Sequence, residues 1–381
     1  MLAENLVVGC IYLCLCMMLF DLYLLVFHQV DKRLTPRRDK KVRLLFAGQI
    51  GRLGAGQPLD AKGQKWLMRY LTRPRGLDAF LSAMGTLGAD GVERLFPYYA
   101  ACLPMLESLV RKTRKEPKEY RAQLAYVLYR MDLGKNPELA DAASHTRLHD
   151  LSEAILEDVI GESVYLRENT LRAVITIGRP KAVRHALQLL ARHPLLVNHQ
   201  LLADDLLLFP GNPRTLLDLL HSQFEDFCPM LQVSCINYMR LLKDGCSQER
   251  FIPAMQRRLE SDETNGEVRL AAIRFFASHP LPAAKPALLR LLADDKSAYN
   301  FAAVAAMALK AYPGQDTVAS LVRGLSSRNW YVRFNCADSL LSLGVEYEAV
   351  VRASDDPYAR EMMIYRSEVL LLRKENRENV P

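Results

Sequence analysis

Four side chains stand at one place in four blocks of this 381-residue chain: Gln188, Arg257, Arg290 and Arg323. Blocks 183–190, 252–259, 285–292 and 318–325 share four matching columns, and the three arginines are 33 and 33 residues apart. A guanidinium offers a planar fork of donors that holds a carboxylate or phosphate through two parallel hydrogen bonds. Three of them at equivalent turns of successive helices make a ladder with steps of roughly 10 Å, the usual distance between packed helices. Such a row suits an acidic partner. The same residues also serve as a plain solvated helix face, and both readings stand.

Other constellations carry less. His145 and His149 are four apart, a spacing that sets two ligands on one helical face, but no Cys or Glu completes a metal set. Gly51 and Gly56 have the outer spacing of a phosphate loop, yet Gln57 and Pro58 stand where Lys and Ser or Thr are required. Gly-x-Ser-x-Gly does not occur, and the carboxylate pairs Asp204 with Asp205 and Asp294 with Asp295 are adjacent in sequence. Neighbours on a helix diverge by about 100°, so neither pair converges on one substrate atom. The expectation is a non-enzymatic protein without metal, cofactor or small-molecule substrate.

The N-terminus carries a different signal. Residues 6–27 are apolar except for Asp21, and a helix of that length reaches roughly 33 Å, enough to cross a hydrocarbon core of about 30 Å. No Lys or Arg precedes the segment and no Ala-x-Ala follows it, which argues against a cleaved signal. Cys14, Asp21 and His28 recur every seven positions, and a carboxylate at that depth favours a face turned toward another protein segment. Lys32, Arg33, Arg37, Arg38, Lys40, Lys41 and Arg43 follow. They act either as a topology signal or as contacts for anionic headgroups. Residues 6–28 are thus expected to be a single transmembrane helix of a cell-membrane protein, with residues 1–5 outside and the bulk of the chain in the cytosol.

Charge limits the partners. The formal net charge is +7, of which residues 31–43 hold a net +5, and with Glu4 and Asp21 removed about +4 is left for residues 44–381. That density argues against nucleic acid as the partner of the whole array. Cys102, Cys228, Cys235, Cys246 and Cys336 are dispersed, with no Cys-x-x-Cys, and read as buried free thiols.

The elements that must position these residues are helices. From Lys62 onward, apolar residues fall at i, i+3, i+4 and i+7 in blocks of about 11 to 16, broken by Gly, Pro, Asp or Asn. The glycines between 47 and 60 suggest a mobile connector before the first of these helices. Pairs beginning Leu166 Arg167, Leu231 Gln232, Val268 Arg269, Tyr299 Asn300 and Val332 Arg333 repeat one pattern, each followed by a second helix with Leu at four-residue spacing. His199 to Leu206 fills a missing place poorly, and Tyr120 Arg121 is an earlier degenerate copy.

This pattern resembles the HEAT repeat. The resemblance implies an all-α solenoid of helical hairpins, HEAT-like over 161–344, degenerate over 61–160, preceded by a basic segment and linker at 29–60 and closed by a capping helix within 345–381. It further implies that second helices line a concave face, so that the arginine ladder points into a groove. Arg167, Arg269 and Arg333 match the family's recurring arginine, which implies structural pairing with an acid such as Glu260, Asp262, Asp294 or Asp295.

The expected function is a membrane-anchored scaffold binding a protein partner, part of a membrane-embedded complex. Two rivals remain. HEAT-like enzymes include chromophore lyases and proteins that remove damaged DNA bases, but the array is near neutral and has only Trp66 and Trp330. A peripheral adaptor would instead use the basic stretches at 32–43 and 111–121 on anionic lipid.

Overall fold

The computed structural model describes the backbone of residues 2–89, 91–194, 198–242, 248–294, 299–353 and 355–378. Within these, the side chains of 2–11, 25, 27–35, 248, 351 and 373–378 are not described. The described residues form helices joined by turns and short connections, without strands, and the contacts divide the chain into two units, 1–186 and 187–381.

Unit 1 begins with α1 (Leu2–Gly54), followed by α2 (Ala61–Leu71), α3 (Pro74–Leu87), α4 (Phe96–Thr113), α5 (Lys118–Arg130), α6 (Ala142–Ile155), α7 (Val164–Ile177) and the start of α8 (Pro180–Ala191). The odd-numbered helices α1, α3, α5 and α7 pack in sequence as one layer, and α4 packs on α2 and α6 in a second. Asp60 and Asp141 cap α2 and α6 by accepting from backbone N–H groups, and Gly178 ends α7 in the left-handed region that costs glycine least.

Unit 2 holds α9 (His199–Leu206), α10 (Pro213–Gln223), α11 (Pro229–Leu241), α12 (Ile252–Glu260), α13 (Gly266–Ser278), α14 (Lys285–Ala293), α15 (Tyr299–Leu309), α16 (Gln315–Gly324), α17 (Trp330–Ser342), α18 (Tyr347–Ala353) and α19 (Pro357–Glu378). First helices α9, α11, α13, α15, α17 and α19 form one continuous layer, each packed on the next. Second helices α12, α14, α16 and α18 each pack on the first helix that follows. Four of the first helices, α9, α13, α17 and α19, start at Asn or Asp caps: Asn198, Asn265, Asn329 and Asp356 all accept from backbone donors of the first turn.

The repeat phase is set by burial. Ala272, Ile273, Phe275 and Phe276 are buried in α13, Ala305, Ala306, Ala308 and Leu309 in α15, and Cys336, Ala337, Ser339 and Leu340 in α17. That registers Val268 with Phe301 and Val332, at intervals of 33 and 31. The sequence reading started the middle repeat at Tyr299, two residues early; Tyr299 is exposed and corresponds to Gly266 and Trp330.

Two expectations at the N-terminal end fail. Among the described residues no helix is long and apolar enough to cross a membrane. This overturns the single-pass segment at 6–28, the placement in the cell membrane and the membrane contact that depended on them. The glycine-rich connector is also shorter than expected. α1 stays helical through Gly48 and Gly51 because Val42 and Phe46 are fully buried in unit 1. Phe46 packs against the rings of Phe80 and Tyr98, and the Gln49 amide accepts from the Asp60 backbone and donates to its carbonyl.

Candidate binding surface

The second helices of unit 2 bury one face and expose the other. In α12 Ala254, Met255 and Leu259 are buried, in α14 Ala287, Leu288, Leu291 and Leu292, and in α16 Thr317, Ser320 and Leu321. Arg257, Arg290 and Arg323 fall between these positions and are exposed, as is Gln188 in α8. Their charges are not equally free. Arg257 shares the Glu225 carboxylate with Arg258, at 3.2 and 2.7 Å. The bond from Arg258 is the main reason the Glu225 carboxyl sits below its ordinary value. Arg323 donates to the Ser320 hydroxyl at 2.9 Å, and among the described residues Arg290 and Arg323 have no carboxylate in ion-pairing reach. The free positive charge of the row therefore lies toward its C-terminal end.

The arginines of the first helices do something else. Arg167 donates from Nη1 to the carbonyls of Gly161 and Glu162 at 2.9 and 3.2 Å. Arg333 repeats this on Ser327 and Arg328 at 2.7 and 3.2 Å. Arg269 binds the Leu259 carbonyl and Asp262, one of the four acids expected, and lies over the Phe301 ring. Gln232 in α11 takes the same place and reaches the carbonyls of Phe224 and Phe227. These side chains satisfy carbonyl groups at the end of the preceding helix or in the turn that enters α7, α11, α13 and α17, so they are part of the fold.

Two residues past Arg167 and Arg333 come Asn169 and Asn335. Each donates to a backbone carbonyl of the preceding first helix, Ala122 and Ala303, at 3.1 and 2.8 Å. The motif Arg-x-Asn therefore does the same two jobs in both units.

Clefts open where second helices end and the next first helices begin. One of about 570 Å³ is lined by residues that include Gln232, Arg257, Arg258, Glu260, Ser261 and Asn265. Another of about 680 Å³ is lined by residues that include Tyr299, Arg323, Ser326, Ser327, Arg328 and Asn329. Arg257 and Arg323 thus each reach a cleft.

On α1, Cys14 and Asp21 are exposed, as are Arg37, Lys40, Lys41 and Arg43, while Arg38 is half-buried. Lys41 lies over the Trp66 ring at 4.2 Å. The side chains of His28, Lys32 and Arg33 fall outside those described, so the proposed face Cys14, Asp21, His28 is not assembled here.

Among the described residues no group of three or more His, Cys, Asp or Glu could hold a metal. His145 is exposed and His149 half-buried, and Asp205 is buried while Asp204 faces out. Burial pushes the Cys102 thiol up to about 12 and those of Cys235 and Cys336 higher still, which suppresses the thiolate a nucleophile needs.

The sequence reading missed two features. Arg366 of α19 is buried and bonded to Asp338 of α17, which the mixed charge of the C-terminal segment concealed. The exposed aromatics Tyr299, Trp330, Tyr331 and Tyr358 open three successive first helices. Their signal was available, since Trp330 and Tyr358 fall one and two places after the caps Asn329 and Asp356.

Fold and surface together define a class: an all-helical protein of repeated hairpins with an arginine-bearing exposed layer. No family model matches the chain, and no curated protein matches it. Among solved structures it is similar to human deoxyhypusine hydroxylase in complex with glycerol, at 17% identity over 81% of this chain and 95% of that one, with a TM-score of 0.28. It is also similar to an engineered protein, at 16% identity over 88% of this chain and 95% of that one, with a TM-score of 0.35.

Proposed function

We propose that this protein is a non-enzymatic scaffold of HEAT-like hairpins that binds an acidic stretch of a partner protein through its second helices. One observation carries the reading. Arg257, Arg290 and Arg323 are exposed at equivalent turns of α12, α14 and α16, and the latter two keep their charge uncompensated among the described residues. The neighbouring clefts give a partner's side chains somewhere to seat beside the guanidinium groups. Carboxylates held by such forks gain charge-assisted bonds and a fixed register.

The test is replacement of Arg257, Arg290 and Arg323 together by Glu. Affinity capture with the full chain, quantified by mass spectrometry, should lose tenfold or more of the partners recovered with the unaltered protein. Helicity by circular dichroism should be unchanged, because all three side chains are exposed. Undiminished recovery of every partner refutes the reading.

A further inference from the structure

The aromatic residues at the entrances of α15, α17 and α19 are not required by the fold. Tyr299, Trp330, Tyr331 and Tyr358 are 57%, 43%, 60% and 65% exposed. At the matching places in α13 stand Gly266 and Glu267, and that helix packs on its neighbours equally well. Large aromatic surface left in water costs the free protein and is recovered only when something covers it.

The rings are held in place before any partner arrives. Trp330 stacks on Phe334 at 5.0 Å and meets Tyr331 edge-on at 5.2 Å. Phe334 lies beneath the Arg366 guanidinium, and Tyr358 lies under Arg333. Anchors fixed in this way lose little conformational freedom on binding. Trp, Tyr and Arg are also the residues that dominate the energetics of protein interfaces.

We propose that these entrances form one docking edge for an extended acidic peptide segment, with Tyr299, Trp330, Tyr331 and Tyr358 as contact surface and Arg323 and Arg328 as the groups that receive its carboxylates. The cleft of about 680 Å³ is lined by Tyr299, Arg323 and Arg328 together with one carboxylate, Asp294, so stacking and an excess of positive charge fall within reach of one short segment. The edge already accommodates a carboxylate of its own chain: the Asp356 side chain accepts a hydrogen bond from Ser326, and Arg333 beside it helps hold that carboxyl below its ordinary value. Exposed Asp355 and the Asp356 cap also interrupt the positive charge. A nucleic-acid backbone, with a charge on every unit, would run past both carboxylates. A peptide can place its acids at Arg323 and Arg328 alone.

This inference rests on the scaffold reading for the acidic character of the partner and shares Arg323 with it, but Tyr299, Arg328, Trp330, Tyr331 and Tyr358 are its own. Selection of random peptides displayed on phage against the full chain, followed by fluorescence anisotropy of the winners, tests it. The expected winners are rich in Asp and Glu, and their affinity falls tenfold or more with Trp330→Ala and with Arg328→Glu. Tyr358→Ala, which leaves the Trp330 stack intact, should also weaken them, whereas Lys62→Glu, at an exposed position of α2 in unit 1, should change affinity by less than twofold. Three results overturn the inference: no enrichment of acidic peptides, affinities indifferent to Trp330→Ala and Arg328→Glu, or tighter binding of a labelled oligothymidine than of any peptide. Acidic winners weakened only by Arg257→Glu and Arg290→Glu would remove the edge and leave the scaffold reading in place.

Discussion

Arg366 joins α19 to α17, and replacing it by Ala should loosen the last first helix of unit 2. The side chain is 7% exposed; its Nε donates to Asp338 Oδ1 at 2.9 Å, and its Nη2 donates to the same oxygen. The guanidinium also lies 4.6 Å from the centre of the Phe334 ring. Removing one partner of a buried pair costs about 3–5 kcal/mol, because the other charge is left behind. Asp338 is 23% exposed and keeps some water, which favours the lower end. Loss of the ring contact adds about 0.5–1 kcal/mol. Against this, Arg366 Nη1 is buried without a hydrogen-bond partner, and its removal returns about 1 kcal/mol.

The net is about 3 kcal/mol, roughly a hundredfold in an equilibrium constant. Repeat arrays open locally, so global denaturation is the wrong assay. Hydrogen exchange followed by mass spectrometry should show protection in α19 falling about a hundredfold, a smaller loss in α17 and none in α13. Asp338→Asn combined with Arg366→Ala should lose less than the sum of the two single changes. A fall below about fivefold in α19, or an equal fall in every helix, refutes the assignment of this pair as the tie between them.

Gly76 and Gly85 make a paired prediction on one helix. A Cβ on Gly76 would lie 2.0 Å from the Tyr70 carbonyl oxygen, whereas one on Gly85 meets nothing within 4 Å. Gly76→Ala should therefore destabilise unit 1 by about 2 kcal/mol or more, and Gly85→Ala should stabilise it by up to about 1 kcal/mol, both read from urea unfolding. Similar effects from the two would contradict the packing described. His279, stacked on Phe275, has its pKa lowered from 6.5, mainly by burial. The unfolded chain then binds the proton more readily. The contribution is full above about pH 6.5 and is lost as the pH falls through that value toward the folded pKa. Melting temperatures at pH 7.5 and 5.5 should differ more for the unaltered protein than for His279→Gln, and equal differences would exclude the effect.

The all-helical class and the repeated hairpins were legible because a buried helix face imposes its 3.6-residue period on Leu, Ala and Val whatever the partner. The middle repeat was misplaced by two residues because Tyr299 resembles a core residue by type, and only its exposure distinguishes it from Phe301. The apolar run at 6–27 matched a membrane span by length, but no described helix meets that requirement. The arginine column was found by aligning second helices, yet sequence alone does not reveal that Arg257 shares Glu225 with Arg258 while Arg323 finds only a hydroxyl. The docking edge escaped notice because its aromatics belong to first helices and are spaced by the layer, not by the ladder.

The recurring Arg-x-Asn has a consequence for how such a chain could grow. Asn169 and Asn335 bind main-chain oxygens, and a main-chain oxygen is supplied by every residue type, so the donor places no demand on the identity of its acceptor. In both instances that acceptor is an Ala, whose small side chain leaves room for the approach. A hairpin carrying the motif is therefore self-fitting: copied next to any neighbour with a small residue at the facing turn, it would dock without a compensating change elsewhere. Duplication within the gene could lengthen the array one hairpin at a time.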